Sequence, residues 1–139
     1  MELVIKDQNA MKDLAAKIAS ESKKGDVIGL KGSLGAGKSF FAAAFINALS
    51  AKEIAVLSPT FNLVYSYSTS KGEVFHFDLY RVKNVMELEN IGLEDALING
   101  ITLIEWPEIA QDFLRKNYLE ITIKIDDFEQ RIVSLKRLF

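Results

Sequence analysis

Within the first 31 residues, the spacing of apolar and polar positions is typical of a strand in two places and of a helix between them. Short apolar runs predict strands over residues 2–5 and 26–31. Between them, Asp7 is placed to cap a helix that Lys23, Lys24 and Gly25 end. The predicted buried face of this helix carries four apolar residues at helical spacing: Met11, Leu14, Ala15 and Ile18.

From residue 40 onward the pattern again predicts both kinds of element. Residues 40–49 are Ala-rich and predict a helix, and the apolar run 54–57 predicts a buried strand. Residues 62–68 and 73–78 are β-like and flank a turn at 70–72, which predicts a hairpin. The remaining predicted elements are two short helices within 84–98 around Gly92, a buried strand at 101–104, a helix from Pro107 to about Leu114, and an antiparallel pair at 118–125 and 131–135.

The segment 32–39, with the sequence GSLGAGKS, fits the Walker A pattern G-x-x-x-x-G-K-[ST]. In such a loop, backbone N–H groups surround a polyphosphate, the lysine neutralises it, and the hydroxyl helps to hold Mg²⁺. The loop lies between a predicted strand and a predicted helix, whose N-terminus adds partial positive charge. We therefore predict that phosphates bind at these residues: Leu34, Gly35, Ala36, Gly37, Lys38 and Ser39.

Helices that alternate with buried strands predict one α/β domain over residues 1–139. The expected fold is a three-layer sandwich of the P-loop NTPase type, with a central mixed sheet. Its parallel core would bind the nucleotide, and antiparallel strands would extend it. The phosphates would then lie at the C-terminal ends of the parallel strands.

Two carboxylates follow predicted strands and are candidates for binding Mg²⁺ or positioning water. Glu105 ends the run 101–104, which is the Walker B pattern with Glu in place of the commoner Asp. A carboxylate at this point needs a partner if it is buried, because an unpaired buried charge is costly; a solvated loop position is the alternative. Asp78 ends the run 74–77, where alternation also allows a place on the polar face.

Four further side chains each have a functional and a structural interpretation. Thr60, in the stretch 58–61, is either a switch threonine that senses the γ-phosphate or part of a Ser-Pro turn. Trp106 stacks on a base or a partner, or packs on the core, and packing is favoured on physical grounds alone. His76, the only histidine, has apolar neighbours, which favours a structural role. Arg81 is a candidate arginine finger or a surface ion-pair partner.

Composition narrows the class of protein. The chain has 139 residues, of which 49% are hydrophobic and 26% charged, with a net charge of −2, which argues against an autonomous nucleic-acid-binding protein. It contains no cysteine, no apolar stretch long enough for a membrane span, and no secretory signal, so a cytoplasmic location is expected. The guanine signature is missing, because Ile123 precedes Lys124; adenine is therefore expected, with Gln8 and Arg131 as candidates for the rim of the base pocket.

Four tracts together resemble one family. GSLGAGKS at 32–39, SPTF at 58–61, HFDLYR at 76–81 and IEWPE at 104–108 have the order and spacing of the TsaE family, also called YjeE. The resemblance covers about residues 3 to 135, and the last two tracts are much more specific than the Walker loop. TsaE proteins are small bacterial ATPases required for the threonylcarbamoyladenosine modification of tRNA.

The resemblance implies roles for individual residues. The ligand would be ATP or ADP with Mg²⁺; Lys38 would bind the β- and γ-phosphates, and Ser39 and Glu105 would hold the metal. Thr60 would belong to the first switch, and Asp78 would lie near the γ-phosphate. The resemblance also implies a functional role for Trp106.

The resemblance also implies a partner. This would be the TsaB–TsaD heterodimer, whose TsaD subunit transfers threonylcarbamoyl to adenosine 37 of tRNA. Hydrolysis by the ATPase would reset that complex, with tRNA held only through it and no membrane involved.

Loops 58–62 and 78–84 would close on bound ATP, and intrinsic hydrolysis would be slow. Two alternatives are a small-molecule P-loop kinase and a nucleotide-gated adaptor that needs no hydrolysis.

Overall fold

A computed structural model describes residues 1–59, 62–114 and 117–138 of the chain. Within these ranges the strands are β1 (Glu2–Ile5), β2 (Val27–Lys31), β3 (Val64–Thr69), β4 (Gly72–Asp78), β5 (Ile101–Glu105), β6 (Tyr118–Ile125) and β7 (Arg131–Leu138). The helices are α1 (Gln8–Glu21), α2 (Lys38–Ala48), α3 (Met86–Asn90) and α4 (Leu93–Asn99), followed by a 3₁₀ segment at Pro107–Phe113. None of the helices described is both long enough and apolar enough to cross a bilayer.

The strands form one mixed sheet in the order β1-β7-β6-β2-β5-β4-β3. Its centre is parallel, since β2 pairs in parallel with β5 and β6, and β5 pairs in parallel with β4. The outer pairs are antiparallel: β3 with β4, β6 with β7, and β7 with β1. This arrangement confirms the predicted mixed sheet, the hairpin and the antiparallel C-terminal pair.

Helices cover both faces of the sheet and give three layers. On one face, α1 and α2 pack on strand residues that include Ile28, Leu30 and Leu103. On the other face, α3, α4 and the 3₁₀ segment pack on Phe77 and Ile104. Side chains alternate between the faces of a strand, so His76, Asp78 and Glu105 point to the same side as α2, the helix that follows the phosphate loop. The predicted three-layer sandwich is confirmed.

The ends of α1 are held by side chains. The carboxylate of Asp7 accepts a hydrogen bond from the backbone N–H of Ala10 (2.8 Å), which confirms the predicted cap. At the other end, the ammonium of Lys71 donates to the carbonyls of Ala19, Ser20 and Ser22 at 2.9, 2.6 and 2.6 Å. Lys71 lies in the β3–β4 turn, so this contact also fastens the hairpin to the helix.

The strand predicted at 54–57 is wrong. The segment is irregular; Ile54 and Val56 pack partly on the α1–α2 core, while Leu57 is exposed. The backbone N–H of Ile54 donates to the side chain of Asn47 (2.7 Å), and that of Leu57 donates to the hydroxyl of Tyr67 (3.1 Å). Side chains therefore take the donors that a neighbouring strand would need, although the alternation of apolar residues is kept. One boundary and one helix type also differ from the prediction. The helix α2 begins at Lys38 rather than at residue 40, and the helix predicted from Pro107 is of the 3₁₀ type.

Candidate functional site

The phosphate loop connects β2 to α2 through a backbone path that depends on glycine. Gly32, Gly35 and Gly37 have φ angles of 154°, 82° and 117°, a region that side chains with a Cβ rarely adopt. At Gly32 a Cβ would also lie 2.6 Å from the carbonyl oxygen of Ile123 on β6. The loop is thus held close to the sheet at its start and enters α2 through the left-handed residue Gly37.

Lys38 folds back over this loop. Its ammonium donates to the carbonyls of Gly32 and Ser33 and lies 3.8 Å from the centroid of the Trp106 ring. The residue is only 5% exposed. Burial lowers the pKa of Lys38, while the nearby carboxylates of Glu105, Asp78 and Glu108 act in the opposite direction. The ammonium of Lys38 is therefore available to bind a phosphate, because the neutral carbonyls and the aromatic ring that hold it compete only weakly with a phosphate.

Ser39 and Glu105 form the centre of the site. The hydroxyl oxygen of Ser39 lies 3.1 Å from Oε1 and 3.0 Å from Oε2 of Glu105. Glu105 is 3% exposed and ends β5, next in register to Asp78 at the end of β4. Hard oxygen ligands of this type suit Mg²⁺, which usually takes one or two carboxylates plus phosphate oxygens. The residues present therefore fit the ion that the Walker loop implies.

Trp106 follows Glu105 in an unusual backbone conformation. Its φ and ψ are 62° and 54°, in the left-handed region, which costs a residue with a side chain about 1–2 kcal/mol. The ring packs against Tyr80 with centroids 4.9 Å apart. Pro107 then begins the 3₁₀ segment. The sharp turn after β5 thereby places an aromatic ring beside the lysine of the phosphate loop, and strain of this kind is typical of functional sites.

One cleft of about 340 Å³ collects most of the predicted site. Its lining includes these residues singled out from the sequence: Leu34, Gly35, Gly37, Lys38, Ser39, Asp78, Arg81, Glu105 and Trp106. Ala36 is buried and does not line this cleft. Arg81 is exposed at the cleft. Thr60 lies outside the described residues.

Gln8 and Arg131 lie together in a second groove, of about 440 Å³, on the other side of the phosphate loop. Gly35, Ala36 and Gly37 border this groove as well. The guanidinium of Arg131 donates to the carbonyls of Ala36 (2.9 Å) and Glu129 (3.1 Å). Arg131 therefore fastens the loop to β7, and its assignment to the base pocket stays a prediction.

Two contacts in the site were not expected from the sequence. Nε2 of His76 lies 2.7 Å from Oε2 of Glu105, with both side chains buried. The ring of Tyr80 packs at a tilt of 41° against that of Trp106, and Tyr80 lines the cleft. The tract 76–81 contains both residues, so its resemblance to the family tract was the available clue; the contact between His76 and Glu105 depends on how β4 and β5 pair.

Comparison with known proteins identifies the family. A family model described as threonylcarbamoyl adenosine biosynthesis protein TsaE matches residues 5–133, which is most of the chain. The chain belongs to the TsaE family. This confirms the resemblance that the four sequence tracts indicate.

Individual TsaE proteins support the same assignment. The tRNA threonylcarbamoyladenosine biosynthesis protein TsaE of Rickettsia felis is 36% identical over 133 residues, covering 96% of this chain and 78% of that protein. Its counterpart in Aquifex aeolicus is 43% identical over 108 residues, 77% of each chain. The crystal structure of Bacillus subtilis YdiB superposes with a TM-score of 0.80 at 26% identity, covering 100% of this chain and 86% of that one. The α/β fold is thus shared with a solved structure.

Proposed function

We propose that this chain is the Mg²⁺-dependent ATPase subunit of tRNA threonylcarbamoyladenosine biosynthesis and acts on a TsaB–TsaD complex. The observation that carries the proposal is the contact between Ser39, the hydroxyl residue of the Walker loop, and the buried Glu105 at the end of β5. Two oxygen side chains on adjacent elements meet beside a lysine, as Mg²⁺-nucleotide binding requires. Membership of the TsaE family supplies the pathway.

In this proposal each residue of the cleft has a separate task. Lys38 leaves its carbonyls and the Trp106 ring and neutralises the β- and γ-phosphates of ATP. Ser39 and Glu105 hold Mg²⁺, which supplies charge neutralisation at the transferring phosphoryl group when bound. Asp78, which is paired with Glu105 in the sheet, lies near the γ-phosphate and takes part in catalysis or switching.

Adenine is assigned to the groove at Gln8 and Arg131, because Gly35, Ala36 and Gly37 of the phosphate loop border that groove. Arg131 already donates to Ala36 of that loop, so a base lying there would touch a side chain coupled to the phosphate site. The loop 78–84 closes on ATP and opens after hydrolysis. The sequence predicts the same movement for the loop 58–62, of which residues 60 and 61 lie outside the described residues. Leu34 and Tyr80 are exposed on the rim of the cleft, so closure changes a surface that a protein partner can contact.

The decisive experiment compares single-turnover and multiple-turnover modification of tRNA by purified TsaB–TsaD. With this chain and ATP, product should continue to accumulate after the first turnover; without the chain, or with a non-hydrolysable ATP analogue, it should stop after about one equivalent. Glu105→Gln should behave like the analogue. Glu94→Gln, an exposed carboxylate on α4, is the matched control and should behave like wild type.

Other outcomes identify the alternatives. Sustained modification with Glu105→Gln would favour a nucleotide-gated adaptor that needs no hydrolysis. A phosphorylated metabolite, formed with ATP in the absence of TsaB–TsaD, would favour a kinase. Rapid ATP hydrolysis by the chain alone, unchanged by TsaB–TsaD, would contradict the proposed coupling.

A further inference from the structure

Within the part of the chain that the structure describes, two side chains lie within hydrogen-bond distance of the buried Glu105 carboxylate: Ser39 and His76. Ser39 has one hydroxyl hydrogen and lies nearly equally far from both carboxylate oxygens, so it can donate to only one at a time. The second donor within reach is Nε2 of His76, 2.7 Å from Oε2. A buried carboxylate needs such donors, because desolvation without compensating hydrogen bonds is costly.

His76 is itself buried, with 1% of its surface exposed. Its other ring nitrogen, Nδ1, has no hydrogen-bond partner among the described residues. Since the carboxylate can only accept, Nε2 must carry the hydrogen. The geometry thus places a hydrogen on Nε2, the ring nitrogen that faces the carboxylate.

We infer that His76 is a positioning residue for Glu105. It anchors Oε2 and so leaves Oε1 to face the cation or a water bound to it, while Ser39 is free to turn a lone pair towards the same ion. The inference rests on the proposed function, which assigns Mg²⁺ to Ser39 and Glu105. Replacing a residue that orients a metal ligand through a hydrogen bond commonly lowers the metal affinity by about 10–100-fold.

Strand geometry explains how His76, on β4, can position the carboxylate of Glu105, on β5. His76 is paired in register with Leu103, two residues before Glu105, and both side chains face α2. The contact is therefore diagonal across two adjacent parallel strands and is set by the rigid centre of the sheet. A loop residue would hold the carboxylate less firmly, since loops are more mobile.

The first test is spectroscopic and uses the unmodified chain. Because the sequence has a single histidine, ¹⁵N NMR of the imidazole reports on His76 alone. The expected result is a hydrogen on Nε2, with a change at Nε2 in Glu105→Gln. A hydrogen on Nδ1 instead would overturn the inference.

The second test measures ADP binding with EDTA and with increasing Mg²⁺. His76→Leu should bind ADP as wild type does in EDTA, but its Mg²⁺ dependence should shift at least tenfold to higher concentration. His76→Gln, whose amide nitrogen can replace Nε2, should restore the wild-type Mg²⁺ dependence. Thr102→Val, a buried change on β5 that faces the other side of the sheet, is the matched control and should match wild type.

The outcomes separate the two proposals. If the role of His76 is purely structural, His76→Leu should weaken ADP binding equally with and without Mg²⁺, and His76→Gln should restore binding in neither condition. An equal Mg²⁺ dependence of ADP binding in His76→Leu and in wild type would also contradict positioning. If His76→Leu does not fold, His76→Asn replaces it, because its shorter amide reaches only the place of Nδ1. If the wild-type protein shows no Mg²⁺-dependent nucleotide binding, the proposed function is contradicted. If wild-type binding is normal but the positioning test fails, only the role of His76 is contradicted.

Discussion

The ammonium of Lys38 lies 3.8 Å from the ring centroid of Trp106. A cation at this distance from an indole is attracted by about 0.5–2 kcal/mol. The same ammonium also donates to carbonyls of its own loop. The lysine of the phosphate loop is therefore held by groups that a nucleotide must replace, and this couples the state of the loop to Trp106.

Nucleotide binding should change the fluorescence of Trp106, which is the only tryptophan in the chain. As phosphates draw Lys38 away, the ring loses an adjacent charge, so emission should change in step with added ATP and Mg²⁺. The measurement is a fluorescence titration beside calorimetry. Lys38→Met should show a different starting spectrum and little response. ATP binding seen by calorimetry without any change in emission would contradict the coupling.

As the pH rises, the affinity for ATP should begin to fall at a lower pH than it would if Lys38 had the pKa of an ordinary lysine. Burial lowers the pKa of Lys38 in the free protein, and only the charged form attracts phosphate. Below that lowered pKa the affinity should be constant; above it, affinity should fall by up to about tenfold per pH unit, since binding must take up one proton. Calorimetry across alkaline pH tests this, and Lys38→Arg should lose the dependence because arginine stays charged.

The phosphate loop and most of the fold were predictable because their signals are local. Gly32 to Ser39 is a motif with a fixed spacing, and the apolar runs of β2 and β5 show buried strands directly. Asp7 could be assigned as a cap because a helix N-cap acts within three residues. The placement of Glu105 near Ser39 also followed, since the carboxyl ends of adjacent parallel strands meet at one edge.

What could not be predicted depends on contacts between distant residues. His76 lies 29 residues from Glu105, and only the register of β4 on β5 brings them together. The run 54–57 has the pattern of a strand, but Asn47 and Tyr67 take its backbone donors. A periodic pattern shows which side chains are buried and does not show what pairs with the backbone.

Gly29→Ala should destabilise the fold beneath the phosphate loop. A Cβ at this position would lie 2.2 Å from the hydroxyl and 2.6 Å from Cε1 of Tyr118, a buried side chain. Overpacking of this kind costs about 1–3 kcal/mol. Denaturant unfolding of the two single variants and of Gly29→Ala with Tyr118→Leu tests it, because removal of the ring should recover much of the loss. Additive effects in the double variant would show that the clash is not the cause.

Lys71→Met should lower the free energy of unfolding by about 1–3 kcal/mol, because three carbonyls at the C-terminal end of α1 lose a charged donor. Guanidinium unfolding measures the change. Lys17→Met, on the exposed face of the same helix, is the matched control and should stay within about 0.5 kcal/mol of wild type.

Nucleotide binding by Lys71→Met should be unchanged, which separates this contact from the site. Lys71 precedes β4, and Asp78 ends it; six steps along a strand span about 20 Å. The hairpin is therefore fastened to α1 at the opposite end of the strand from the cleft. If Lys71→Met weakened ATP binding while the unfolding free energy stayed at the wild-type value, the contact would have to act on the site through β4 rather than by stabilising the fold.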